Sequence, residues 1–169
     1  MHQWSSAEFR SLVEREDDDV ELKSGASSKK LQEAMVAFTN SGGGTIFIGV
    51  DDQRHVLGRK RDRGTDDAIH EAALAARNVG RYSISESNVD GTPIVVVDVE
   101  RREDEVAQTS DGRVLQRRGG RNVAVFGAEL WRLMSSRALR RYEASPSGVD
   151  PSTVTPEIAE PYTDGERKA

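Results

Sequence analysis

Between residues 19 and 23 the chain alternates, with Val20 and Leu22 pointing one way and Glu21 and Lys23 the other, the two-residue period of a strand. From Ser28 the spacing changes to Leu31, Ala34, Met35 and Phe38, the apolar stripe of a helix. Asn40 and the run Gly42-Gly43-Gly44 end that helix. Residues 45–50 follow, apolar on both faces and rich in β-branched side chains, so they predict a buried central strand that Asp51-Asp52 closes.

Upstream, Ser5-Ser6-Ala7-Glu8 has the spacing of a capping box, and Trp4 is placed to staple onto Phe9, so a short helix is expected through Val13. Downstream, residues 53–65 are basic and contain glycine, which predicts a loop with a short strand at 55–57. An Ala-rich helix is predicted over 66–79, opened by Thr65 or Asp66. Strands at 81–89 and 93–101 are joined by Asp90-Gly91, a strong hairpin signal. A second Asp-Gly at 111–112 leads into residues 114–118. A last helix is predicted over 126–141, using Leu130, Trp131, Leu133, Met134 and Ala138.

Beyond Tyr142 the composition shifts to Ser, Pro, Gly, Thr and acids, and four of the five prolines lie there, so 143–169 reads as a disordered acidic tail. What remains is one domain over residues 3–142, α/β with a mixed α+β order of elements.

Composition narrows the function classes. There is no cysteine. Disulfides, thiolate zinc sites and a cysteine nucleophile are thereby excluded together, and the chain suits a reducing cytoplasm. No stretch reaches the roughly 20 apolar residues of a membrane span, and the N-terminus lacks a signal core, so a cytoplasmic protein without membrane partners is expected. The net charge is −5. Residues 143–169 carry six acids and two bases, and residues 14–21 carry six acids and Arg15. The rest is net positive, with clusters at 59–63, 113–121 and 137–141. Surface fields are local, so this distribution is compatible with a polyanionic partner. Each cluster taken alone also reads as solvated surface.

Glu16-Asp17-Asp18-Asp19-Val20-Glu21 crowds like charges at a cost. Asp17, Asp18 and Asp19 read as a solvated loop. Glu21 sits inside the apolar alternation and needs a partner, which Lys23 on the same face or a divalent cation would supply. Asp51, at the end of the most apolar strand, occupies a position where sheets expose functional side chains. Carboxylate oxygens suit Mg²⁺ or Mn²⁺. The glycine run lies after a helix and before a strand, the reverse of a phosphate-cradling loop, so it reads as a turn. The histidines His2, His55 and His70 have neither ligand spacing nor a nucleophile beside them.

Taken together, Glu16-x-x-x-x-Glu21-Leu22-Lys23, a helix ending Ala37-Phe38-Thr39-Asn40-Ser41-Gly42-Gly43-Gly44, and Ile46-Phe47-Ile48-Gly49-Val50-Asp51-Asp52 resemble the Schlafen AlbA-type domain. Val56-Leu57-Gly58 and Arg117-Arg118-Gly119-Gly120-Arg121-Asn122 resemble its later, weaker segments. The match covers about residues 14–135. The resemblance implies a central mixed sheet flanked by helices and nucleic-acid binding. In the animal Schlafens it also implies metal-dependent endoribonuclease action on tRNA-like RNA.

Carried over, the catalytic and metal-binding trio falls on Glu16, Glu21 and Asp51, with Asp52 as the fallback and Mg²⁺ or Mn²⁺ as cofactor. Lys23 is expected to contact phosphate or to neutralise the transition state. Arg117, Arg118 and Arg121 are expected to hold the RNA backbone, and Arg59, Lys60 and Arg61 to add a second basic patch. The animal enzymes pair two lobes and carry a Cys/His zinc motif. This chain has one lobe and no Cys, so a homodimer rebuilding the two-lobed groove is expected. Two other functions stay open: a non-catalytic DNA- or RNA-binding module in regulation or phage defence, and, less favoured, an ATP-binding protein.

Overall fold

A computed structural model describes residues 3–15 and 18–144. The strand signals resolve into one five-stranded mixed sheet and a separate hairpin. In chain order the elements begin β1 (Gln3–Trp4), α1 (Ser6–Arg15), β2 (Val20–Lys23), α2 (Ser28–Asn40) and β3 (Gly44–Ile48). They continue α3 (Arg63–Ala75), β4 (Tyr82–Val89), β5 (Thr92–Val99), β6 (Leu115–Arg118), β7 (Arg121–Ala124) and α4 (Gly127–Ala144). The sheet order is β1-β4-β5-β3-β2. Strands β2 and β3 pair in parallel across the α2 crossover, with Glu21 beside Ile46, while β3–β5 and β4–β5 are antiparallel.

Alternation along the central strands builds a core on each face. Ile46 and Ile48 join Val95, Val97 and Val99 beneath Leu31, Met35 and Phe38 of α2 and Ile69 and Ala72 of α3. Phe47 and Val96 face the other way, onto Phe9 and Val13 of α1. Burying each such side chain contributes about 1.5–3 kcal/mol, so α2 is fixed chiefly by its apolar face. Its opposite side, Val36 and Ala37, packs on Ala107 and Leu115. The helix is therefore covered on both sides, by the sheet and by β6.

Local signals account for most boundaries. Ser5 and Glu8 close the expected capping box, with Ser5 N donating to Glu8 Oε2 at 2.8 Å, and the Trp4 and Phe9 rings lie 5.8 Å apart. Asp90 and Gly91 take positive φ of 46° and 80°, as a tight hairpin turn requires. Gly43 has φ of 88°, and a Cβ on Gly44 would collide with the Phe38 ring, so the glycine run is a turn jammed against the core.

Most bounds shift by one to three residues, and the departures at α3 and at 55–57 have local causes. Helix α3 starts at Arg63, because the carboxylate of Asp62 accepts from Thr65 N at 2.7 Å and caps it earlier than Thr65 or Asp66 would. It stops at Ala75, and Arg77 bridges to Gln108 instead of continuing the helix. The strand expected at 55–57 reduces to one bridge, Val56 to Val50. Among the described residues, no helix is long and apolar enough to cross a membrane. Residues 145–169, which hold most of the expected tail, lie outside the described residues.

Candidate functional site

Strand β2 is an edge strand. The Asp19 carbonyl just before it accepts from Thr45 N at 2.7 Å and its Lys23 carbonyl from Gly49 N, just past β3, at 2.8 Å, which turns the Val20 carbonyl outward. The Arg117 side chain, 2% exposed, closes that edge. Its Nη2 donates to Val20 O at 2.6 Å and its Nε to Asp18 O at 3.4 Å. Its Nη1 donates to Glu21 Oε2 at 2.5 Å and to Asn122 Oδ1 at 2.9 Å. The guanidinium also lies 5.0 Å from the centre of the Phe38 ring. A forked, planar cation serves this position because it satisfies a carboxylate, a backbone carbonyl and an aromatic face at once.

Glu21 is thereby held between two cations. Oε2 is bound by Arg117 and Oε1 by Lys23, one of the two partners the sequence left open for it. Arg117, expected to hold the RNA backbone, is largely buried and has its guanidinium on Glu21, Val20 and Asn122, at the wall of a cleft. Of the other expected backbone contacts, Arg118 is paired with Glu129, and Arg121 is exposed at the start of β7.

The 59–63 cluster also serves structure. Arg59 donates to Thr65 Oγ1 at 3.0 and 2.9 Å. Arg61 donates to Asp66 and to Ile84 O, and the Asp66 carboxylate raises its pKa. Lys60 is exposed.

The two aspartates after β3 part company. Asp51 Oδ1 accepts from Gln53 N at 2.9 Å and His55 N at 2.8 Å, and its Oδ2 meets His55 Nδ1 at 3.1 Å. The His55 backbone donor, foremost, holds this carboxyl below the usual range. Asp51 is thus spent on closing its own turn. Asp52 is exposed and lines two adjoining clefts. The smaller, of 230 Å³, contains Glu21, Arg54, Arg117 and Gly120. The larger, of 530 Å³, opens between the ends of β2 and β3 and contains Lys23, Ser24, Ser27, Lys30, Glu33 and Asn122. The first turn of α2 lies in its wall. The Ser27 side chain does not cap that turn, and no acidic residue stands in it.

Glu16 lies outside the described residues. Among the described residues no three His, Asp or Glu side chains are grouped as a metal site needs. Glu21 has both oxygens on cations, and both Asp51 oxygens face its own loop. A divalent ion at Glu21 would have to compete with Lys23 and Arg117 for its two oxygens.

For two residues that organise this site, the sequence reading gave a role but missed the buried contacts they make. Arg117 shares the inward face of β6 with Leu115, and an arginine in phase with a core leucine signals a buried cation in need of partners. Asn40, read as a helix end, is 2% exposed and clamps the β6 region to α2. It donates to Ala107 O at 2.9 Å and Leu115 O at 3.0 Å, and accepts from Ala107 N at 2.8 Å.

Comparison with known proteins agrees with this architecture. The chain is similar to the DIP2311 protein from Corynebacterium diphtheriae, with 18% identity, a TM-score of 0.58, and 70% of this chain covering 24% of that one. It is also similar to the N-terminal domain of a putative ATP-dependent DNA helicase RecG-related protein from Nitrosomonas europaea, with 21% identity, a TM-score of 0.44, and 57% of this chain covering 73% of that one. The chain thus spans about a quarter of the length of DIP2311, and at 18% identity that likeness concerns fold alone. No curated protein matches. The family model Schlafen, AlbA_2 matches residues 16–125, which include β2, α2, β3 and the Arg117 segment, and the chain belongs to that family.

Proposed function

We propose that this domain binds nucleic acid, RNA foremost, with the phosphate backbone entering the cleft at the start of α2. One observation carries the reading: the 530 Å³ cleft sets the uncapped first turn of α2 beside Lys23 and Lys30. Orphan backbone donors, the positive end of the helix dipole and lysine ammonium groups all favour a phosphate. Asp52 and Glu33 also line the cleft, so attraction is local and partly opposed. Glu33 is paired with Arg113 at 2.8 Å, which leaves Asp52 as the main repulsive group.

Fluorescence anisotropy with a tRNA-sized RNA and with duplex DNA, titrated in salt, tests this. Lys30→Ala is expected to weaken binding and to lower the log–log salt slope by about one, as loss of one phosphate contact does. Asp52→Asn is expected to tighten it. Binding that is insensitive to salt and to Lys30 would sink the proposal.

A second reading, metal-dependent RNA cleavage, is favoured by one observation: Glu21 and Asp52 line the same smaller cleft. It requires Glu21 to leave Lys23 or Arg117. Incubation of tRNA with Mn²⁺ and the wild type, Glu21→Ala, Asp51→Ala and Asp52→Ala decides it. Loss of cleavage in Glu21→Ala and Asp52→Ala supports the reading, whereas no cleavage by the wild type, or equal cleavage by Glu21→Ala, removes it.

A further inference from the structure

Helix α4 sits on the domain with its charged side inward. Leu130, Leu133 and Arg137, at i, i+3 and i+7, form the seated stripe, and only Arg137 of these is fully buried. Its guanidinium reaches Asn40 O through Nη2 at 3.3 Å, while Nε and Nη1 have no partner among the described residues. The remaining ties are ionic, Glu129 to Arg118 and Arg140 to Glu103, the latter at 2.5 Å. Among the described residues, none of α4 belongs to any of the three core clusters.

The apolar stripe one residue further round stays in solvent. Trp131 is 71% exposed, Met134 52% and Leu139 67%, with Phe126 at 76% beside the helix start. A surface helix of a monomer presents the opposite pattern, apolar in and charged out. Four large side chains exposed to this degree offer on the order of 500 Å² of mostly apolar surface, at the upper end of what monomers leave uncovered.

We propose that this face of α4 is where a second copy of the chain docks, antiparallel, across Trp131, Met134 and Leu139. Three features select a second copy as occupant. The spacing is self-complementary: antiparallel pairing about position 135 sets Trp131 of one copy against Leu139 of the other, twice, with the Met134 side chains at the centre. A two-fold interface requires such reciprocity. The apolar area, with the polar rim around it, approaches the roughly 800 Å² that each partner gives to a stable complex. Aromatic and methionine side chains at the centre, with charge set aside, match the composition of interface cores. Arg140 lies on the opposite side of α4, paired with Glu103, and the exposed Arg132 stands at the rim beside Leu139. The interface involves neither cleft, so it stands independently of the nucleic-acid reading.

Sedimentation velocity on the full chain, from about 1 to about 100 μM, where a modest interface dissociates, is the test. A concentration-dependent dimer is expected for the wild type. Trp131→Glu and Leu139→Glu are each expected to weaken it at least tenfold, with unchanged circular dichroism. Leu74→Glu serves as the control, since Leu74 is 84% exposed on α3 and outside the seam, and it is expected to leave the dimer intact. Should a Glu variant misfold, Trp131→Ala and Leu139→Ala read the same loss at smaller amplitude. A wild type that stays monomeric throughout overturns the proposal, as does a dimer indifferent to these substitutions. So does a monomer in which iodide fails to quench Trp131, taken by difference from Trp131→Phe, because another part of the same chain then covers the face.

Discussion

Arg117→Ala is the most informative perturbation of the fold, because one guanidinium holds the sheet edge, the Glu21 carboxylate and the hairpin together. Removing one partner of a buried pair costs about 3–5 kcal/mol, mostly the penalty of the charge left behind. Here Glu21 keeps Lys23 and a side chain 12% exposed, which moves the electrostatic part toward or below the lower end of that range. The lost donation to Val20 O at 2.6 Å adds about 1 kcal/mol, since an edge carbonyl can be rehydrated once the side chain is gone. A total of about 3 kcal/mol is expected, or roughly 10 °C in Tm for a domain of this size. Urea unfolding followed by circular dichroism at neutral pH reads it. Arg117→Lys is expected to recover little, because an ammonium cannot serve Glu21, Asn122 and Val20 together. Arg117→Met combined with Glu21→Leu replaces both charges by apolar groups and is expected to recover most of the loss. The double-mutant cycle should therefore return a coupling of at least about 1 kcal/mol. Arg117→Ala losing less than about 1 kcal/mol, or a cycle that is additive, would refute the claim that this pair organises the edge.

Other expectations follow from single contacts. Asn40→Ala strands Ala107 N, Ala107 O and Leu115 O in a buried site and is expected to cost about 4 kcal/mol in the same urea assay. Thr39→Val removes the acceptor that Gly80 N uses at 3.0 Å, an expected loss of about 1–2 kcal/mol. Gly44→Ala drives a methyl into the Phe38 ring and is expected to cost about 3 kcal/mol or more, visible as loss of soluble folded protein. The Asp51 carboxyl has its pKa lowered in the folded chain, so its contribution is present above the ordinary value of 3.8 and is lost as pH falls through the depressed one. Asp51→Asn should therefore lower Tm at neutral pH, with the difference from wild type shrinking in acid below about pH 4. A difference that stays constant into strong acid would show that the ionised carboxylate is not what closes the 51–55 turn.

How far the sequence discloses this molecule depends on whether a signal is local. Period and capping are local, so α1, α2, β2, β3 and the Asp90-Gly91 hairpin are legible in the order of residues alone. Strands β1 and β7, of two and four residues, carry too little period to announce themselves and exist because a neighbouring strand or turn offers hydrogen bonds. The site divides the same way. Glu21 betrays its need for a partner by breaking an apolar face, and Lys23 answers from two residues away. Arg117 answers from 96 residues away, and its only local sign is being in phase with Leu115. Asp51 and Asp52 are adjacent in sequence and equal in chemistry; the hydrogen bonds of the 51–55 turn separate them, spending one and exposing the other. Helix α4 is the sharpest case. Its sequence offers two neighbouring apolar stripes, Leu130–Leu133 and Trp131–Met134, and periodicity alone cannot say which one faces the domain. The choice is made by Arg137 docking at the carboxyl end of α2, where a cation is favoured by the helix dipole. That contact fixes the rotation of α4, and the rotation leaves Trp131, Met134 and Leu139 facing outward.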